Sequence, residues 1–185
     1  MIIQPFLPTD VARVKKFTDQ EIGRNYYSID ELIENQRKSV TGSGEISSFL
    51  LIDETDNSVK GLRLAFPPGN WFSGKGEQLR ADLWPFSLSE TAYFQSLFLS
   101  KDAQGQGWGP KLSEKSIQIF KSLGAKGIAT HSWKESPNNS SVKYLESIGF
   151  KKIIEHPLYW VNVDYVCSLD GKPCRCTAIE MYRTL

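Results

Sequence analysis

At 185 residues, 40% hydrophobic and 23% charged, the chain is long enough to bury a full core and short enough to be one domain. A net charge of +1 leaves no electrostatic footprint for a nucleic-acid partner. No apolar run approaches a membrane span, and Met1 to Phe17 lacks a signal peptide's apolar centre, so the sequence reads as cytosolic with no membrane partner.

Met1-Ile2-Ile3 is a short strand, and Thr9-Asp10 caps a helix whose Val11, Val14 and Phe17 recur on one face. Ser28-Ile29-Asp30-Glu31 reads as a capping box, and Ile29, Leu32 and Ile33 supply the apolar stripe of a second helix. Thr41-Gly42-Ser43-Gly44 breaks that pattern. Ser48 to Ile52 and Val59 to Phe66 then read as two strands joined by the polar turn Glu54-Thr55-Asp56-Asn57. Pro67 to Glu90 is irregular; its Trp71 and Trp84 suit either a pocket wall or a cover over the core edge.

Ala92 to Leu99 is an apolar strand that runs into a glycine-rich turn and then a helix with Pro110 near its start. Leu112, Ser116, Ile119, Phe120 and Leu123 form the stripe of that helix, which stops at Gly124. Lys126 to Trp133 alternates as a strand, and Pro137-Asn138-Asn139-Ser140 opens a short helix carrying Val142, Leu145 and Ile148 and ending at Gly149. Phe150 to Ile154 and Thr177 to Tyr182 are the last strands, and no internal repeat is evident.

The strand–turn–helix from Ser96 to Gly109 makes an anion site. Glycines let the backbone approach a ligand, and the unpaired N–H groups of the helix's first turn point at it. A P-loop requires Lys followed by Ser or Thr after the last glycine, which Gly109-Pro110-Lys111-Leu112 does not offer. The dinucleotide fingerprint fails on its glycine interval. Gln104-Gly105-Gln106-Gly107-Trp108-Gly109 does match Gln/Arg-x-x-Gly-x-Gly/Ala, and downstream Asn138 leads a helix that ends in Gly149-Phe150. The chain between Ala92 and Ile154 thereby resembles the GNAT superfamily of acyl-CoA-dependent N-acyltransferases.

The resemblance implies an α+β fold in which a mixed sheet of about six to seven strands is flanked by about four helices. It spans 1–185 as one domain, with an irregular insertion at about 67–90 and a cysteine-containing turn at about 164–176. It implies acetyl-CoA as donor, with backbone groups of Leu97, Phe98 and Leu99 pairing with the pantetheine arm like an added strand. One of their N–H groups would face the thioester oxygen. Gly105, Gln106, Gly107, Trp108 and Gly109 would hold the pyrophosphate, Gln104 would contact phosphate or brace the turn, and Asn138 would form the far wall. A small-molecule or peptide amine would be the acceptor, and the resemblance also allows for a homodimer.

Two family positions are filled unusually. The strand position that often carries a glutamate base is Ser96, beside Gln95, and the position of the tyrosine acid is Leu145. Tyr144 is next to it but turned by roughly 100° on the helix. Glu135, His131 and Tyr159 are candidates for replacing them, and no catalytic residue is assigned. The reading is an N-acetyltransferase acting by direct transfer, with a non-catalytic acyl-CoA sensor as the alternative.

Cys167, Cys174 and Cys176, an odd number of cysteines, lie together near the end of the sequence. Three soft ligands within ten residues can wrap a zinc ion with Asp170 or His156 as the fourth ligand. The Cys-x-Cys end is not the usual Cys-x-x-Cys knuckle, however, and the stretch reads rather as a hairpin turn between the last strands whose cysteines pack as small apolar residues.

Overall fold

The computed structural model describes residues 1–185. Seven strands form one sheet: β1 (Ile2–Pro5), β2 (Phe49–Ile52), β3 (Val59–Phe66), β4 (Thr91–Leu99), β5 (Gly127–Trp133), β6 (Lys151–His156) and β7 (Ala178–Thr184). Their order is β1-β2-β3-β4-β5-β7-β6, and only β4 and β5 pair in parallel. The four helices are α1 (Val11–Glu21), α2 (Ile29–Lys38), α3 (Trp108–Ser122) and α4 (Ser140–Ser147).

Alternation along the strands divides the core between two helical layers. On one face Val11, Val14 and Phe17 of α1 and Leu32 of α2 pack against Leu50, Ile52, Leu62 and Leu64. On the other, Ile117 and Phe120 of α3 and Val142 and Leu145 of α4 cover Phe94, Ile128, Ile179 and Met181. The strand, helix and glycine-stop expectations hold to within a residue or two at most ends, where helices and strands fray.

Some faces differ from the periodicity. Ile29 and Ile33 of α2 are about half exposed while Leu32 is fully buried. The sheet receives α2 on its Leu32–Gln36 side, and Gln36 donates to Phe6 O at 3.2 Å. Leu123 is also exposed, and Ile117 takes its place in the core. Trp71 and Trp84 cover the sheet: both pack with Phe66, Tyr93, Ala129 and Tyr182, and Trp71 stacks on Tyr93 at 4.4 Å.

The capping box forms as read. Ser28 Oγ accepts from Glu31 N at 3.1 Å, and Glu31 Oε2 accepts from Ser28 N at 2.8 Å. Removing the cap oxygen strands an N–H, so Ser28→Ala is expected to cost about 1 kcal/mol in urea unfolding. A loss below about 0.2 kcal/mol would mean that the cap carries no stability.

Candidate active site

The parallel pairing of β4 with β5 runs only from Thr91–Gly127 to Phe94–Thr130, although both strands continue. At that point β4 carries an extra residue: Phe94 pairs with Ala65 and Ser96 with Leu64, so Gln95 is bulged. Beyond it, β4 remains paired to β3 through Leu97, Phe98 and Leu99, and its β5-facing edge has no strand partner. A row of backbone donors and acceptors is therefore left in a cleft, which is the arrangement that accepts an extended, amide-bearing ligand.

The glycine-rich loop lies at the end of the same strand. Its N–H groups at Gly105, Gln106 and Gly107, and those of Trp108 and Gly109 in the first turn of α3, donate to no carbonyl outside the helix. Gly105 and Gly107 have φ of 73° and 78°, a left-handed conformation that side chains disfavour, and nothing lies within 4 Å of where a Cβ would stand on either. An open, donor-lined surface at a helix N-terminus fits a pyrophosphate. Gln104 braces the turn instead of pointing outward, donating from Nε2 to Leu99 O at 2.9 Å. Asn138 lies exposed in the turn before α4 with φ of 55°, and its side chain makes no hydrogen bond within the chain.

Tyr144 approaches the start of α3 while Leu145 is buried in the core. The Tyr144 hydroxyl donates to Gly109 O at 3.2 Å and bonds Ser113 Oγ at 2.6 Å. Ser113 in turn accepts from buried Arg63 at 2.8 and 3.1 Å. Burial lowers the Arg63 pKa, and its charge lies over the Phe94 ring at 4.1 Å. These contacts fix the first turn of α3 against the sheet.

The α1/α2 side of the split strands carries two cavities. An apolar slot of about 90 Å³ opens between Phe98 of β4 and Trp133 of β5 and is walled by Ile22, Tyr26, Trp160 and Tyr165. A polar cavity of about 390 Å³ beside Gln95 is lined by Asp30, Glu31, Glu34 and Lys75. Lys75 bonds Glu31 at 2.5 Å and lies over the Tyr26 and Tyr27 rings.

Ser96, at the position where the resemblance implies a base, is buried and bonds the Tyr27 hydroxyl at 2.6 Å. Burial pushes the Tyr27 pKa up to about 12, so this pair consists of two neutral hydroxyls. Glu135 is tied to Thr177 N at the end of β5. His131 stands one residue past the last β4–β5 pair; its Nδ1 bonds Tyr93 Oη at 2.8 Å and its ring stacks on Tyr159 at 4.5 Å. The Tyr159 hydroxyl and His131 Nε2 are buried without hydrogen-bond partners. Burial pulls the His131 pKa down, which keeps the imidazole neutral.

Glu180, fully buried on β7, is the hub behind His131. It accepts from Trp84 Nε1 at 2.6 Å, Arg80 N at 3.0 Å and His156 Nε2 at 2.7 Å, and lies 3.6 Å from His131 Nε2. Sequence reading did not find this residue or the aromatic slot. The only signal for the slot was the aromatic density of Tyr159, Trp160 and Tyr165 before the cysteines. The three cysteines do meet, as free thiols beside Asp170, whereas His156 is engaged by Glu180.

A sheet split beside a glycine-capped helix offers an open strand edge and a donor-lined turn to an extended, phosphate-bearing ligand. Residues 25–150 match the family model for the acetyltransferase (GNAT) family, and the chain belongs to that family. No curated protein matches it significantly in sequence. Among solved structures it is similar to the ribosomal-protein-S18-alanine N-acetyltransferase of Escherichia coli, with a TM-score of 0.67 at 16% identity over 99% of this chain and 92% of that one. It is also similar to Chaetomium thermophilum Naa20 in complex with a bisubstrate analogue, with a TM-score of 0.69 at 15% identity over 100% and 87%. The phosphinothricin acetyltransferase of Sinorhizobium meliloti, in complex with AcCoA, gives 0.65 at 16% identity over 100% and 88%. At these identities the likeness is one of fold. No helix is long and apolar enough to cross a membrane.

Proposed function

We propose that the chain transfers an acetyl group from acetyl-CoA directly to an α-amino group that stands next to an apolar side chain. The observation that carries this reading is the end of the β4–β5 pairing at Phe94–Thr130 in a strand that leads straight into five undonated N–H groups. The N–H groups of Gly105 to Gly109 would hold the pyrophosphate, the free edge of Leu97 to Leu99 the pantetheine amides, and Asn138 the opposite wall. Acetyl-CoA supplies an activated thioester, and an N–H on that same edge would stabilise negative charge developing on its oxygen.

The choice of amine follows from the base position. Ser96 and Tyr27 supply hydroxyls and no carboxylate there, so the acceptor has to bring an appreciable neutral fraction of its own. At pH 7 an α-amine of pKa about 8 is about one-tenth neutral, whereas an alkylamine near 10.4 is neutral at about one part in 2,500. The aromatic slot between Phe98 and Trp133 would take the neighbouring apolar side chain. The Escherichia coli enzyme of similar fold is named for N-acetylation of an alanine, which supports an acceptor of this kind.

Calorimetry with acetyl-CoA, followed by CoA release across an amine panel, tests the reading. The expected result is saturable donor binding and at least about tenfold faster turnover of apolar-first peptides than of polyamines at pH 7, narrowing as the pH approaches the pKa of the alkylamine. Donor binding without turnover of any α-amine would favour the sensor; no binding at millimolar acetyl-CoA would remove both.

A further inference from the structure

The connection from His156 to Ala178 contains no helix or strand, yet Cys167, Cys174 and Cys176 within it are 5%, 0% and 2% exposed. Cys167 and Gly171 exchange backbone hydrogen bonds at 2.8 and 3.0 Å, which folds the turn back on itself. One ligand atom from each of Cys167, Asp170, Cys174 and Cys176 then lies within 4.8 Å of every other.

Cys167 Sγ and Cys176 Sγ are 3.8 Å apart. A tetrahedral zinc site with Zn–S near 2.3 Å has sulfur–sulfur edges of about 3.8 Å. A disulfide would need about 2.05 Å, and three cysteines leave one unpaired in any case. Asp170, though exposed, turns its carboxylate inward to 3.3 Å from Cys176 Sγ, close to the edge expected between a sulfur and an oxygen ligand of one zinc ion. The surroundings supply donors to sulfur: Leu169 N–H points to Cys167 Sγ at 3.4 Å and the Tyr165 hydroxyl to Cys174 Sγ at 3.2 Å. Such outer contacts orient and stabilise thiolate ligands. Asp170 Oδ2 also accepts from Arg175 N at 2.9 Å, which holds the carboxylate facing the sulfurs.

We infer that Cys167, Asp170, Cys174 and Cys176 bind one structural zinc ion. Three thiolates and a carboxylate complete a closed tetrahedron, with soft ligands that suit zinc and disfavour magnesium or calcium. The ion has a defined mechanical task. Tyr165, Cys167 and Ser168 wall the aromatic slot, and the adjacent Val166 packs on the α1–α2 link. Val166 N donates to Arg24 O at 3.5 Å, and a Cβ on Gly23 would meet Val166 O at 2.5 Å. Tyr165 and the three cysteines already join the core cluster under α1 and α2, and the metal would cross-link them and fix the turn against the slot. The task at the slot rests on the acceptor reading above; the metal site does not.

Metal analysis of protein purified without chelator is the test, and it reads the site whether or not the slot takes an acceptor. The expected content is one zinc per chain, falling below about 0.2 in Cys174→Ser and retained in His156→Ala. Replacement by cobalt should give an intense thiolate charge-transfer band. On the wild-type protein, where no variant has to fold, a mercurial that titrates three thiols should release one zinc. Removal of zinc should raise the acceptor KM severalfold and leave acetyl-CoA affinity within about twofold, as expected for a wall that only the acceptor touches. Thiols that titrate with no zinc released and no zinc taken up on addition, a Cys167–Cys176 disulfide in freshly purified protein, or full zinc retention in Cys174→Ser would each overturn the site.

Discussion

Gly107→Glu is expected to abolish acetyl-CoA binding in a protein that still folds. Gly107 caps α3 with φ of 78°, and nothing lies within 4 Å of the position its Cβ would take. The substitution therefore creates no clash in the core and costs the left-handed strain of one residue, about 1–2 kcal/mol. A carboxylate at a helix N-terminus is even favourable to the helix. It occupies the same N–H groups that would hold the pyrophosphate, however, and opposes its charge. A unit charge about 4 Å away near a protein surface contributes about 4 kcal/mol, so affinity should fall by at least about 100-fold by calorimetry. The far-ultraviolet circular dichroism should be unchanged. Gly107→Ala separates strain from charge and should keep affinity within about tenfold. Glutamate variants that bind within threefold of wild type would show that the loop is not the phosphate site.

The parts of this site that could be read in the sequence are those carried by short-range spacing. Gly105 and Gly107 sit in the turn between β4 and α3 because they adopt positive φ, and Gly109 stands in the first turn of α3 because it packs near Leu97 and Tyr144. The capping box at Ser28 and the stops at Gly124 and Gly149 are equally local. The aromatic slot was not readable, because Tyr26, Phe98, Trp133 and the pair Trp160 and Tyr165 come from four separate stretches that meet only when β4 and β5 diverge. The roles of Tyr144 and Leu145 follow from helix phase, which buries Leu145 and turns Tyr144 to Gly109 O. Trp71 and Trp84 cover the sheet and do not wall a pocket because of two hydrogen bonds, from Trp71 to Thr91 O and from Trp84 to Glu180. Both pull the indoles onto the sheet, and of the surrounding segment Ser73, Gly74 and Lys75 are left to line the polar cavity. The Glu180 hub depends on topology: β7 lies between β5 and β6, so Glu180 pairs with His131 on one side and Ile154 on the other. Nothing local to any of these residues announces that meeting.

The same hub gives the second large effect, on stability. Glu180→Gln is expected to destabilise the fold by about 3–5 kcal/mol at pH 7, because it breaks a buried charge network whose remaining donors lose their anion. Burial alone would push the Glu180 carboxyl up. Hydrogen bonds from His156, Trp84 and the Arg80 backbone, together with the His131 ring 3.6 Å away, outweigh it and hold the pKa at about 2, against 4.5 for an ordinary glutamate. That depression corresponds to roughly 3 kcal/mol, fully present above pH 4.5 and lost progressively as pH falls toward 2. His131 works in the same direction at higher pH. Its pKa is lowered in the fold by burial, so the unfolded chain takes up the proton first as pH falls below about 6.5. Wild-type stability should thus decline in two stages on acidification, and Glu180→Gln should lack the lower one. Urea unfolding at several pH values from 8 to 3 measures both. The segment around Arg80 and Trp84 should gain hydrogen-exchange rate in the variant, since Glu180 is what ties it to β7. A variant within about 0.5 kcal/mol of wild type at pH 7, or one that keeps the full acid slope, would show that the carboxylate is not what holds these elements together.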